Sequence, residues 1–126
     1  MTASKIVLPD IAYQQSYFEY IDELGEEERY PFPLDFDHSD FPSMIAKISD
    51  FAEGRNLPDG YVPSSTYWLV IDGELAGVSN LRHFLNAGLQ KAGGHIGLGI
   101  RPSFRGQQWG ICLMQRTIEI ARKRGI

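Results

Sequence analysis

The chain is short of the residues that most often announce a function. A single cysteine, Cys112, stands among 126 residues, which excludes an intrachain disulfide framework and a multi-cysteine zinc site. Three histidines are present, and no His/Asp/Glu spacing resembles a metal site strongly enough to assign one, so no metal is expected. No apolar run approaches the ~18 residues that a membrane span requires. The start, MTASKIVLPD, has neither a basic stretch leading into an apolar one nor a small-residue cleavage site. No export leader is read there, and a cytoplasmic setting is expected. No repeat, low-complexity tract or long linker interrupts the chain, whose length is that of one domain of ~100–150 residues. Residues 1–126 are therefore expected to form one unit.

What is there is unevenly distributed. Residues 1–63 carry thirteen Asp/Glu against four Lys/Arg, whereas residues 64–126 carry three against eight. Six of those eight cations (Arg101, Arg105, Arg116, Arg122, Lys123 and Arg124) fall after residue 100. Such a split fits a front that prefers cations and a back that prefers anions, and it fits two solvated faces equally.

Periodicity divides the chain into strand, two helices, hairpin, strand and helix. Ile6–Leu8 is a short apolar strand stopped by Pro9. Asp10 is placed to cap a helix whose Tyr13, Tyr17, Ile21 and Leu24 share one face and which Gly25 stops. The prolines of Tyr30-Pro31-Phe32-Pro33 forbid its continuation. A second helix starts near Ser39 or Asp40, runs an apolar stripe through Phe41, Ile45, Ile48 and Phe51, and ends at Gly54. After the turn-rich Asn56–Ser65, Thr66–Ile71 is β-branched and aromatic, Asp72-Gly73 is a strong hairpin turn, and Glu74–His83 returns. Tyr67 and Trp68 are expected on opposite faces, one toward the core and one toward a pocket. Phe84–Gly94 reads as a loop, and His95–Ile100 as a strand with Ile96, Leu98 and Ile100 on one side. From Gln107 to about Arg124 the pattern is helical, with Ile111, Met114 or Gln115, Ile118 and Ala121 on one face and Gly125 as cap. The order predicts a mixed α/β (α+β) fold whose central sheet is largely antiparallel and flanked by helices.

The chemistry concentrates in residues 95–118. Two glycines in one short strand, Gly97 and Gly99, weaken it and mark a bulge, or another backbone or ligand lying close. Pro102 ends the strand, and Phe104-Arg105-Gly106-Gln107-Gln108-Trp109-Gly110 leads into a helix start. Unpaired N–H groups and the helix dipole make such a start ready for an anion. Arg105 adds a bidentate donor, and Gly106 and Gly110 allow a phosphate near the main chain. A plain tight turn reads the same way. Neither the P-loop pattern nor the dinucleotide G-x-G-x-x-G is present.

The stretch Gly94–Gly110, GHIGLGIRPSFRGQQWG, resembles the acetyl-CoA-binding motif of the GNAT superfamily of acyl-CoA N-acyltransferases. Its pattern is a strand, an x-P link and [RQ]-x-x-G-x-[GA] opening a helix, and Arg105 and Gly110 match the first and last positions. The wider VPSSTYWLVIDGELAGVSNLRHFLN and GGHIGLGIRPS look like one bacterial branch of predicted acetyltransferases. The likeness spans most of residues 60–126; the first 55 match in element order only. Gln108 stands where the family usually has glycine. The chain also stops where the family begins its next strand, so the C-terminal strands and helix, which often brings a thiolate-protonating tyrosine, are expected to be missing.

The resemblance implies a GNAT-like domain that transfers acetyl from acetyl-CoA to a primary amine of a small molecule or peptide. The coenzyme contacts it implies are Leu98, Gly99, Ile100, Arg105, Gly106, Gln107, Gln108, Trp109 and Gly110. The main chain at Leu98 and Ile100 is where an oxyanion and the thioester would be held. His95 is the candidate base, since an imidazole titrates near neutrality, or a histidine hydrogen-bonded to the neighbouring loop. His83 and His38 carry weaker versions of the same two readings. Cys112 reads as a small buried hydrophobe and Trp109 as packing. The acidic, aromatic segment Glu26–Asp40 forms an acceptor rim favouring a cationic amine, or a solvated loop. The alternative function is a catalytically impaired remnant that binds CoA or mediates oligomerisation. Without a next strand, His95–Ile100 presents an open ladder edge, from which a homo-oligomer is expected. Neither nucleic acid nor membrane is expected as a partner.

Overall fold

Four strands make one antiparallel sheet in the order β1-β2-β3-β4 in the computed structural model, which describes residues 3–85 and 95–126. They are β1 (Ser4–Val7), β2 (Ser64–Ile71), β3 (Glu74–Arg82) and β4 (Ile96–Ile100). Three α-helices, α1 (Gln14–Leu24), α2 (Phe41–Glu53) and α3 (Trp109–Arg124), accompany them. Short 3-10 turns occupy Ile11–Tyr13, Phe32–Asp35 and Pro102–Phe104. Most of the loop read at Phe84–Gly94, residues 86–94, lies outside the described residues.

Local chemistry accounts for the element ends. Asp10 Oδ1 accepts from the Ala12 N–H at 2.8 Å and Asp40 Oδ1 from Ser43 at 3.3 Å, so the carboxylates cap first turns that lack intrahelical partners. Asp72 and Gly73 sit at φ 50° and 84°, the pair of left-handed residues that a two-residue hairpin requires. Asp72 Oδ1 also accepts from the Ala3 N–H at 3.0 Å, so the β2–β3 turn pins the entry to β1.

Strand alternation sorts the core into two sides. Trp68 lies with Tyr17, Tyr20, Leu24, Phe41, Met44 and Ile48 beneath α1 and α2. Leu69 and Ile71 lie with Leu113 beneath α3, and Tyr67 packs there with Leu81 and Ala121. The layers are therefore helices, sheet, helix. Tyr67 and Trp68 do face opposite ways, but Tyr67 enters core rather than a pocket, its hydroxyl accepting from Arg124 at 3.0 Å.

The stripe expected on the last helix needs correction. Ile111 is 60% and Ile118 36% exposed, while Leu113, Thr117 and Ala121 are buried. Two features of β3 select that face. Gly77 leaves room for Leu113, whose Cδ2 lies 3.2 Å from where a Cβ would stand. The Thr117 hydroxyl lies 2.9 Å from Ser79 Oγ and 2.8 Å from the Leu113 carbonyl, so its burial leaves nothing unpaired. Hydropathy periodicity ranks isoleucine above threonine and misses a polar pair that completes itself across the layer.

Candidate active site

The site grows from β4. Its glycines are explained by a close neighbour: a Cβ at Gly97 would meet Tyr30 Oη at 2.7 Å, and one at Gly99 would strike the Tyr30 carbonyl. The segment between α1 and α2 thus lies flat on one face of β4, joined there by a cis Tyr30-Pro31 bond. Ile96, Leu98 and Ile100 project to the other face, where they pack toward α3.

The ladder fixes where the β4 main chain points. Arg82 N–H donates to the His95 carbonyl at 2.7 Å and Arg101 N–H to the Ala76 carbonyl at 2.8 Å. With the unbroken register Gly77↔Ile100 to Leu81↔Ile96, residues 95, 97, 99 and 101 form the hydrogen-bonded pairs with β3. Ile96, Leu98 and Ile100 therefore turn their N–H and C=O groups to the open edge. Among the described residues, no strand pairs with that edge.

Two hollows meet at this edge. One, of 370 Å³, runs along Leu98, Gly99 and Ile100 and is bounded by Tyr20, Tyr30, Glu27 and Glu28. The other, of 280 Å³, opens at the start of α3 between Ile100, Phe104, Gly106, Gln108, Trp109 and Gly110. Ile100 and Arg105 line both. The helix start is not plugged: Gln108, its N-cap, makes no side-chain cap bond, leaving the first-turn N–H groups to face the hollow. Gly106 at φ 77° and Gln108 at φ 67° bend the loop around it. Gly106 does so freely, whereas Gln108 holds a left-handed conformation that costs an ordinary side chain roughly 1–2 kcal/mol. At Gly110 a Cβ would reach Ile100 at 3.8 Å, ordinary contact, so alanine would fit there.

Arg105 is placed at the junction but is engaged. Its Nε donates to the Ile100 carbonyl at 2.9 Å, and Nη1 pairs with Glu27 Oε1 at 2.9 Å. Arg101, counted with the basic end of the chain, is withdrawn from any ligand role. It is buried, paired through Nε with Glu23, and donates to the Leu75 carbonyl at 3.3 Å. Burial works against ionised Glu23, yet hydrogen bonds from Ser103 and Arg101 hold its carboxyl below the usual range. This pair clamps α1 to the chain leaving β4. Arg116 donates to Ser4 Oγ at 3.0 Å, and Arg124 to Ser65 Oγ at 2.8 Å.

The histidines separate. His95 is exposed at the start of β4, at the far end of the strand from Arg105. His83 is structural: its Nε2 lies 2.8 Å from Ser65 Oγ and 3.3 Å from an Arg124 nitrogen. Burial, and then the Arg124 charge, hold its pKa below 6.5. His38 packs against Tyr17 and Phe18, with Nδ1 3.3 Å from the Phe36 carbonyl. Cys112 is half-buried. Trp109 packs into the α3 core cluster, as the packing reading expects, and also lines the hollow. No cluster of three metal-ligating side chains occurs among the described residues, and no described helix is long and apolar enough to cross a membrane.

Tyr20 is the cleft residue that periodicity passed over. It is fully buried, lines the larger hollow, and its hydroxyl has no hydrogen-bond partner. The available signal was a tyrosine, rather than phenylalanine, one turn beyond Tyr17 on a buried face: a polar tip that needs an address.

An antiparallel sheet between helical layers, whose last described strand runs through a glycine-bearing loop into an open helix start, defines a protein of the mixed α/β class. The model of the acetyltransferase (GNAT) family matches residues 15–126, and the chain belongs to that family. Membership supports an acyltransferase activity of the acetyltransferase type, with acetyl-CoA the family's typical donor and amines its general acceptors. No curated protein matches the chain.

Proposed function

We propose that the protein transfers the acetyl group of acetyl-CoA to a primary amine of a small molecule or peptide. The observation that carries this reading is the junction at Arg105 and Ile100. There an open helix start with unused N–H groups adjoins a cleft along the free edge of β4. The diphosphate takes the Gly106–Gly110 loop with Gln107, Gln108 and Trp109 around it. The pantetheine arm runs along Leu98, Gly99 and Ile100, where it meets the outward-facing main-chain groups of Leu98 and Ile100. The N–H groups of Leu98 and Ile100 face the thioester and stabilise negative charge on its oxygen.

The acceptor approaches from the Tyr20, Glu27, Glu28 and Tyr30 side, where carboxylates attract a cation. Its amine is deprotonated before attack, with His95 as the candidate base acting through solvent. Direct attack needs alignment rather than a covalent enzyme intermediate. Calorimetry with acetyl-CoA and CoA, followed by thiol release with an amine panel, tests the reading. Arg105→Ala is expected to weaken CoA binding. Coenzyme binding without turnover on any amine would favour a CoA-binding or oligomerisation module instead, a role for which the free β4 edge is suited.

A further inference from the structure

We propose that the Tyr20 hydroxyl is a side-chain hydrogen-bond donor to the thioester carbonyl oxygen, acting beside the β4 main chain. The inference rests on the acetyl-transfer reading and adds a residue from α1 to it. Three observations converge. Tyr20 is fully buried, yet its hydroxyl is unpartnered. Leaving a buried hydroxyl unsatisfied costs roughly 1–3 kcal/mol, so a resident group of this kind points to a partner that arrives with a ligand. The ring borders the same cleft as Leu98, Gly99 and Ile100, the strand that carries outward-facing N–H groups. Tyr17, the other tyrosine with an unpaired hydroxyl, does not line this cleft and packs into the cluster of Phe18, Phe41 and Trp68.

A phenol in a cleft could also give up its proton, and the two roles differ in what they need. Burial pushes the Tyr20 phenol well above its ordinary range, with Arg105 acting in the opposite direction and only partly offsetting it. A thiol titrates near ~8.5, so full transfer from so weak an acid to a departing thiolate is uphill. A donor that keeps its proton loses nothing by this. In the step, the amine nitrogen bonds to the carbonyl carbon and the carbonyl π pair moves onto oxygen, facing Tyr20. Collapse then breaks the C–S bond, the pair leaves on sulfur, and the proton that the newly bonded nitrogen sheds passes through solvent to the thiolate. Tyr20 remains protonated from start to finish.

Infrared spectra of acetyl-CoA labelled with carbon-13 at the thioester carbonyl, bound to wild type and to Tyr20→Phe, test this. The bound carbonyl band is expected at lower frequency in wild type, where the oxygen accepts a bond. Turnover should fall about 10²-fold in kcat with the KM for acetyl-CoA little changed, as for loss of one oxyanion donor. Tyr20→Phe should melt no lower than wild type, because it removes an unpaired hydroxyl. Should that variant fail to fold, wild type alone suffices: acetyl-CoA, and not CoA, should red-shift the tyrosine absorption band. Identical carbonyl bands or equal kcat in the two proteins, or no difference between acetyl-CoA and CoA in wild type, would overturn the proposal while leaving acetyl transfer intact. Failure of acetyl-CoA to bind wild type would remove both.

Discussion

At the scale of single residues, backbone conformation and pairing decide more than residue type. Gln108 occupies a left-handed position at φ 67° on the rim of the hollow at the start of α3. Replacing it with glycine relieves roughly 1 kcal/mol of strain but adds about 0.5–1 kcal/mol of chain entropy to be lost on folding. Thermal stability should therefore change by less than about 1 kcal/mol, while CoA binding by calorimetry tightens as the side chain leaves the rim. Arg105 presents the opposite case, a favourable residue type tied up by Glu27. Both partners are about half exposed, so the pair adds little stability. Glu27→Gln should nevertheless raise CoA affinity several-fold at low ionic strength, with the gain shrinking in ~1 M salt. Gly99→Ala should disturb the site from its floor, because the added methyl meets the Tyr30 carbonyl. A loss of about 1–3 kcal/mol in denaturant unfolding is expected.

At the scale of elements, what could be read in advance followed from local rules. The Asp72-Gly73 turn, the Asp10 and Asp40 caps and the proline stops each act within a few residues, and each stands where its chemistry required. The glycines of β4 announced a close neighbour, although the identity of that neighbour, Tyr30, depends on how a distant loop folds back. The buried face of α3 was not legible, since it is chosen by Gly77 and Ser79 on another strand. Nor was the Glu23–Arg101 clamp, whose partners lie 78 positions apart. Removing Glu23 leaves the buried Arg101 cation with its more distant carboxylates, Glu74 at 3.8 Å and Glu19 at 3.9 Å. Glu23→Gln should accordingly cost about 1.5–3 kcal/mol in chemical denaturation, as for loss of a charged hydrogen bond.

At the scale of the whole molecule, charge and edges set behaviour in solution. The acid limb of stability draws on groups whose shifts have a defined sign, His83 and Glu23 among them. His83 has a folded pKa held below 6.5, so its contribution is complete above that pH and declines as the pH falls from there toward the lowered value. Glu23 has its pKa lowered from 4.5, so its contribution is lost at still lower pH. Urea midpoints measured from pH 8 to pH 3 should fall in two stages, and His83→Gln should flatten the upper one. The edge of β4, with which no strand pairs among the described residues, offers main-chain groups to a second copy, and light scattering is expected to find an oligomer; a strictly monomeric particle would contradict this. The basic end of the chain has a plainer account than its composition implied. Arg101, Arg105, Arg116 and Arg124 are all committed to internal partners.

The contact between Arg105 and Glu27 ties two chambers to one guanidinium. Under the proposed function, a diphosphate arriving at the helix start competes for that cation and strips Glu27 of its counter-ion. The carboxylate is then left bare at the mouth of the neighbouring chamber, where it can attract a positively charged acceptor. Loading the nucleotide end first and admitting the amine second would thus follow from the sharing of one side chain, and the order of addition would need no moving lid.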